Sequence, residues 1–264
     1  MFAKLLKNEW RASRKTIGLL CAVILISGLL IGSASLGLFY MAENTGSDAL
    51  FVLLTILVVV CVVAVALSCG ASIFYALWRF YRSRFTEEGY LTYTLPVNHH
   101  QLMLSGILVS VWDIFLTVLA AFAAVFLAMA VASLALPWRE LGRADWVMLW
   151  SSLGQALHEL APHLGEILGV LLMMLLMCLS QLLLLMLAVT IGAMAAKKHP
   201  ILVAVAVYYG VGVLRSVGFG CFLAGAAVKT FAGTLAVMDL MSLAVMAGCY
   251  FFIYYLTSKK LNLT

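Results

Sequence analysis

Apolar residues run along this chain in long, nearly unbroken stretches, and charge is confined largely to the short segments between them. Stretches near Ile17 to Tyr40, Ala49 to Trp78, Leu102 to Leu136, Ile167 to Ala196, Pro200 to Val228 and Thr230 to Thr257 each exceed the roughly 20 residues that an α-helix needs to cross a bilayer. A transmembrane barrel would instead show segments of about ten residues with alternating polarity. The pattern predicts an all-α, polytopic protein with six transmembrane helices, forming a single transmembrane domain over residues 1–264. At 1.5 Å per residue the longer runs exceed the roughly 30 Å hydrocarbon layer, so they must tilt, kink or protrude.

Three segments outside these runs carry their own pattern. In the first fifteen residues Phe2, Leu5, Leu6 and Trp10 share one helical face, while Lys4, Lys7, Asn8, Arg11 and Arg14 lie mainly on the others. This predicts an N-terminal amphipathic interfacial helix, held by anionic lipid headgroups, ahead of the first span. In residues 137–165, Trp146, Leu149, Trp150, Leu153, Leu157 and Leu160 recur at helical spacing, as in a helix lying at a membrane surface. The third segment, Arg79 to Gln101, is polar yet holds Phe80, Tyr81, Phe85, Tyr90 and Tyr93, with Gly89 and Pro96 as punctuation. Aromatic and arginine clusters suit a docking surface for another protein. The alternative is that these rings fold back on the ends of the chain's own helices.

Composition agrees with lipid as the solvent: 65% of the residues are hydrophobic and 10% charged, against about 25% charged in soluble domains. Charge adds orientation. Lys4, Lys7, Arg11, Arg14 and Lys15, then Arg79, Arg82 and Arg84, then Lys197 and Lys198, then Lys259 and Lys260 all fall on one side, against Arg139, Arg143 and Lys229 on the other. The positive-inside rule predicts that both termini are cytoplasmic, which makes residues 79–101 a cytoplasmic loop and 137–165 an extracellular segment. The basic start precedes a run longer than a signal-peptide core, so the first span is expected to be retained. All six cysteines lie within apolar runs without metal or disulfide spacing and read as small packing residues.

The run Phe85-Thr86-Glu87-Glu88-Gly89-Tyr90-Leu91-Thr92-Tyr93-Thr94-Leu95-Pro96-Val97, followed by His100-Gln101-Leu102, resembles the permease subunits of bacterial type-2 ABC transporters, particularly those of Gram-positive bacteria. The opening Leu5-Leu6-Lys7-Asn8-Glu9-Trp10 and the tail from Tyr254-Tyr255-Leu256-Thr257 through Lys259-Lys260-Leu261-Asn262-Leu263 are similar to that family's two ends. The resemblance implies a multi-pass permease of the bacterial cytoplasmic membrane that pairs with a second permease and with separate cytoplasmic ATPase subunits. It implies that the loop between spans two and three couples to the ATPase, with Phe85, Glu87, Glu88, Gly89 and Tyr90 at the contact and Arg84, Leu91 and Pro96 framing it. Export of an amphipathic or hydrophobic cargo, such as a peptide, drug or lipid-like molecule, follows from the same resemblance. One departure is that the long extracellular connection here follows the third span instead of the fifth.

Catalytic chemistry is not legible. No stretch has the Gly-x4-Gly-Lys-Ser/Thr spacing of a phosphate-binding loop, so any ATP and Mg are expected in a partner chain. No catalytic residues, metal cluster or nucleic-acid partner is expected, and His158 and His163 are spaced poorly for zinc. Asp113, Arg215 and Asp239 fall within the third, fifth and sixth spans, where an isolated charge costs about 2.5 to 3.5 kcal/mol or more. Arg215 and Asp239 both fall in the outer half of the membrane and are expected to pair, or else Arg215 receives an anionic substrate. Asp113 has no partner evident in the sequence; it accepts hydrogen bonds from a neighbouring Ser or Thr, or it binds a cation or proton. Two alternatives to the exporter therefore stand: an ion-coupled secondary transporter using Asp113, and a membrane scaffold or sensor subunit.

Overall fold

The computed structural model describes residues 2–43, 48–86, 99–135, 143–195, 199–225 and 231–259. These residues are helical almost throughout and contain no strand. We number the helices α1 (Phe2–Glu43), α2 (Asp48–Phe85), α3 (His99–Ala132), α4 (Arg143–Leu160), α5 (Leu164–Ala195), α6 (Pro200–Gly225) and α7 (Phe231–Lys259). All but α4 are long and apolar enough to cross a membrane, giving six candidate spans. Their outward faces are apolar: Leu67 and Phe74 of α2 are each 68% exposed. Only a hydrocarbon solvent makes such a surface stable, so this is a multi-pass membrane protein. If all six candidate spans cross, the starts of α1, α3 and α6 and the ends of α2, α5 and α7 fall on one side, called the basic side below.

Two compact units divide the chain, one of Met1–Ala76 with Leu104–Leu149, the other of Leu77–Met103 with Trp150–Thr264. In the first, α1 and α3 run parallel. Glu9 meets Ser105, Ser13 meets Asp113, Cys21 meets Leu116, and Gly28 meets Ala124. Gly28 and Gly32 lie one turn apart on one face, and their backbone sits directly on α3. A Cβ added at Gly28 would lie 2.7 Å from the Cβ and carbonyl oxygen of Ala124; one at Gly32 would lie 2.7 Å from the Cβ of Val131. Close approach through small residues is how helices associate where lipid supplies no hydrophobic drive between them. Ile24, Ala120 and Ala124 form the buried centre, with Cys21, Val65, Cys69 and Ala121 packed around it. α2 joins antiparallel, its Ser72 meeting Thr117.

The N-terminal segment departs from expectation. A separate interfacial helix is not seen, because α1 continues without a break from Phe2 to Glu43. No Gly or Pro interrupts residues 9–17, and Ser13 and Ile17 are buried on the same face as Ile24. The basic residues Arg11, Arg14 and Lys15 stay exposed on the far side of these turns.

In the second unit α5 is the central helix. α6 packs along one flank and α7 along another, while α6 and α7 scarcely touch each other. α5 and α6 approach closely at Gly192, where a Cβ would come 2.5 Å from the carbonyl oxygen of Pro200 and 2.8 Å from the Cβ of Ala204. The helix expected in residues 137–165 is present as α4, which passes through a short 3-10 turn, Ala161–His163, into α5. Of the expected apolar face, Trp150 and Leu160 are exposed, while the side chains of Trp146, Leu149, Leu153 and Leu157 lie outside those described.

The glycine contacts give a direct test. Gly28→Leu should destabilise the protein by about 1 to 3 kcal/mol through overpacking, whereas Gly70→Ala, whose added Cβ meets nothing within 4 Å, should leave it unchanged or slightly more stable. Thermal unfolding in a mild detergent, followed by circular dichroism, distinguishes the two.

Candidate functional site

Three polar features stand out in these apolar helices: a seam between α1, α2 and α3, a lock at the basic-side ends of α2, α3 and α7, and two charges within α6 and α7.

The seam lies in the first unit. Ser105 Oγ donates to Glu9 Oε1 at 3.3 Å, Ser13 Oγ to Asp113 Oδ1 at 3.1 Å, and Thr117 Oγ1 to Ser72 Oγ at 3.2 Å. Asp113 is 1% exposed, so its carboxylate depends on partners from the protein. The hydroxyl donor expected on a neighbouring helix is therefore present, and it comes from Ser13. Asp113 lies within the candidate span of α3, and the pairs Glu9–Ser105, Cys21–Leu116 and Gly28–Ala124 set it level with Ile17, one turn beyond Ser13.

The lock belongs to the second unit. Arg84, near the end of α2, is 1% exposed. Its Nη2 donates to the carbonyl oxygen of Leu102 at 2.7 Å, and its guanidinium carbon lies 4.8 Å from the centroid of the buried Phe80 ring. Helix α3 begins at His99, so the carbonyl of Leu102 is already intrahelical and Arg84 adds a second, charge-assisted bond to it. Trp78, Tyr81 and Phe85 continue the aromatic cluster, with Tyr81 and Phe85 stacked at 6.0 Å between centroids. The start of α3 is also tied to α7: the His100 ring lies 3.8 Å above that of Tyr254 at 9°, with its Nδ1 3.2 Å from the Tyr250 hydroxyl. One turn on, Thr257 Oγ1 donates to Met103 Sδ at 3.4 Å.

This settles part of the expectation for residues 79–101. Arg79 to Phe85 are not loop but the last turns of α2. Phe80 and Arg84 fold inward on the chain's own helices, which was the alternative reading, and Arg84 is thereby withdrawn from any docking surface. Phe85 is half-buried at the edge of the cluster. Glu87, Glu88, Gly89, Tyr90, Leu91 and Pro96 lie outside the described residues.

The expected pair between Arg215 of α6 and Asp239 of α7 is not formed. Arg215 Nη1 and Asp239 Oδ1 are both buried without a hydrogen-bond partner, and no ion pair joins these two described residues. The reason is geometric. α6 and α7 scarcely touch each other, which leaves the two side chains little common interface in which to meet. Arg215 lies instead within electrostatic reach of the Cys249 thiol, about 15 Å along α7 from Asp239, and its guanidinium carbon sits 5.5 Å from the Phe219 ring. Ser242 Oγ, one turn from Asp239, is likewise buried and unpartnered.

Comparison of the chain with protein-family models, with characterised proteins and with solved structures gave no match. Among the described residues no group of His, Cys, Asp and Glu is placed to hold a metal ion. His163 instead faces Glu166 at 3.3 Å. Cys61 and Cys249 are buried packing residues, whereas Cys178 and Cys221 lie on exposed faces, and none forms a disulfide.

Sequence reasoning found Asp113 but missed Ser13 and Ser105, since a serine in a helix carries no distinguishing pattern until its neighbour is known. In a double-mutant cycle, Ser13→Ala and Asp113→Asn should couple by about 0.5 to 1.5 kcal/mol. Equilibrium unfolding of the four proteins in detergent checks this; additive effects would show that the hydrogen bond carries no net stability.

Proposed function

We propose that the chain is the permease subunit of an ATP-driven ABC exporter in a bacterial cytoplasmic membrane, moving an amphipathic or hydrophobic cargo and working with separate ATPase subunits and a second permease. The observation that carries the reading is the Phe85–Leu102 stretch, whose succession of residues resembles the coupling segment of that permease family. The packing around it supports the same role. A segment that transmits force must be fixed to the helices it moves, and here Arg84 ties its entry to its exit at Leu102, while His100 and Met103 tie the exit to α7.

On this reading the basic side is the cytoplasmic side, as the distribution of lysine and arginine also favours. The cytoplasmic ATPase binds across Phe85, Glu87, Glu88, Gly89 and Tyr90, with Leu91 and Pro96 shaping the segment between them. Arg84 is a positioning residue in this scheme. The hydrogen bond from Ser13 to the buried Asp113 counts against the ion-coupled alternative, because a proton carrier is better served by a carboxylate facing a water path than by one sealed between helices.

The test is affinity purification of the tagged protein in mild detergent, wild type against the double variant Phe85→Ala/Glu88→Ala, with identification of the co-purifying chains. An ATPase that accompanies the wild type and is lost from the variant at equal expression is the expected result. Wild-type protein that never carries an ATPase, under conditions that preserve other membrane complexes, would refute the exporter.

A further inference from the structure

A hydroxyl in an apolar helix can always bond back to a carbonyl one turn away. The buried Ser27, Ser68, Ser110, Ser180 and Thr190 all do so. Ser242 of α7 does not. It is 0% exposed, and its Oγ has no hydrogen-bond partner, so the hydroxyl is turned away from its own helix. Asp239, three residues earlier, is half-buried, and its Oδ1 is buried and equally unpartnered. Residues three apart on a helix are neighbours, with Cβ atoms about 5 to 6 Å apart. The two oxygens therefore share one face within reach of a single small group, yet they do not bond to each other.

The seam with α5 explains why no side chain answers them. Leu235, Ser242, Cys249 and Ile253 are the buried positions of α7, and with Asp239 they form one stripe along it. At the far end from the basic side, a Cβ built on Gly169 of α5 would lie 3.2 Å from Leu235 Cδ1. α5 and α7 run in the same direction, so this register sets Asp239 level with Met173 and Ser242 level with Leu176. Neither side chain has an N–H or O–H to give. Ser180, further along α5, already donates to the carbonyl of Met177. Arg215 of α6 makes no ion pair with Asp239.

An ionised carboxylate only accepts, and a hydroxyl oxygen accepts as well, so the chemistry that suits both is a cation. One carboxylate is balanced by one positive charge. A divalent ion would leave a net charge in an apolar seam, and calcium takes six to eight oxygens. Hard oxygen ligands of this kind suit a hard ion, and they differ from the His, Cys, Asp and Glu clusters that are missing among the described residues. Asp239 lies about 12 Å along α7 from Phe231, and its exposed edge gives an ion and its remaining waters access.

We propose that Asp239 and Ser242 form a binding site for a monovalent metal cation, of which sodium is the type, in the seam between α5 and α7. The site does not rest on the exporter reading and is tested without an ATPase.

The experiment uses the full chain in phosphatidylcholine nanodiscs, with sodium chloride titrated against N-methyl-D-glucamine chloride at constant ionic strength. Thermal unfolding is followed by circular dichroism. Sodium should raise the melting temperature along a saturable curve, by about 3 to 6 °C once it stands tenfold above its Kd. Asp239→Asn should abolish the increment, and in N-methyl-D-glucamine it should melt no lower than wild type, because it removes a carboxylate that lacks a protein partner. Ser242→Ala keeps the carboxylate and should weaken the sodium midpoint about tenfold, the equivalent of one lost ligand. Glu166→Gln, at an exposed acid of α5, should leave the curve unchanged. A melting temperature indifferent to the exchange of sodium for N-methyl-D-glucamine, an increment that survives Asp239→Asn, or an unchanged midpoint in Ser242→Ala would overturn the proposal.

Discussion

Lipid offers no hydrogen bonds, and that constraint organises this protein. Every polar group within the apolar stretches must find a partner in the protein or remain costly. Most do so within their own helix: Ser27, Thr55, Ser68, Ser110 and Thr190 all donate to the carbonyl four residues back. The others mark where helices meet. Ser13 with Asp113, Ser72 with Thr117 and Arg84 with Leu102 are contacts between helices, and each lies where the sequence alone gives little reason to expect one. Of the groups left over, Arg215 Nη1, Asp239 Oδ1 and Ser242 Oγ lie in the last two helices.

The helices were legible because crossing a bilayer requires length and apolarity, both of which are local properties. Ile17 to Tyr40 lies wholly within α1, and Pro200 begins both the expected fifth span and α6. The ends were less legible. The aromatic and basic residues 79–85 read as loop by composition, yet a helix needs no apolar content to continue once it has left the lipid, and α2 carries its ladder on to Phe85. The same physics joins the first turns of α1 to its span.

Partners were less legible again. Asp113 was found by its rarity in an apolar run, but its donor was not, because the partner depends on the register between α1 and α3. The Arg215 and Asp239 pairing failed for a related reason. Counting residues along two antiparallel helices brings their Cα atoms to similar levels, but α6 and α7 both pack on α5 and scarcely meet each other. The glycines of α1 and α6 look alike in sequence, yet at Gly28 there is no room for a methyl group and at Gly212 nothing lies nearby. Which role a glycine has is decided by the neighbouring helix.

The parallel pairing of α1 with α3 has a bearing on how the protein is made. α1 emerges first, with Gly28 and Gly32 already in place, but the alanines that fit against them, Ala124 and Ala128, are synthesised only after α2 has been completed and the chain has turned back. A parallel pair cannot form from consecutive antiparallel crossings, so α1 must wait in the membrane with its small-residue face toward lipid or toward the insertion machinery until α3 arrives. Membrane entry and folding are therefore separate steps for this helix, and the interval between them is set by the time needed to synthesise α2 and α3.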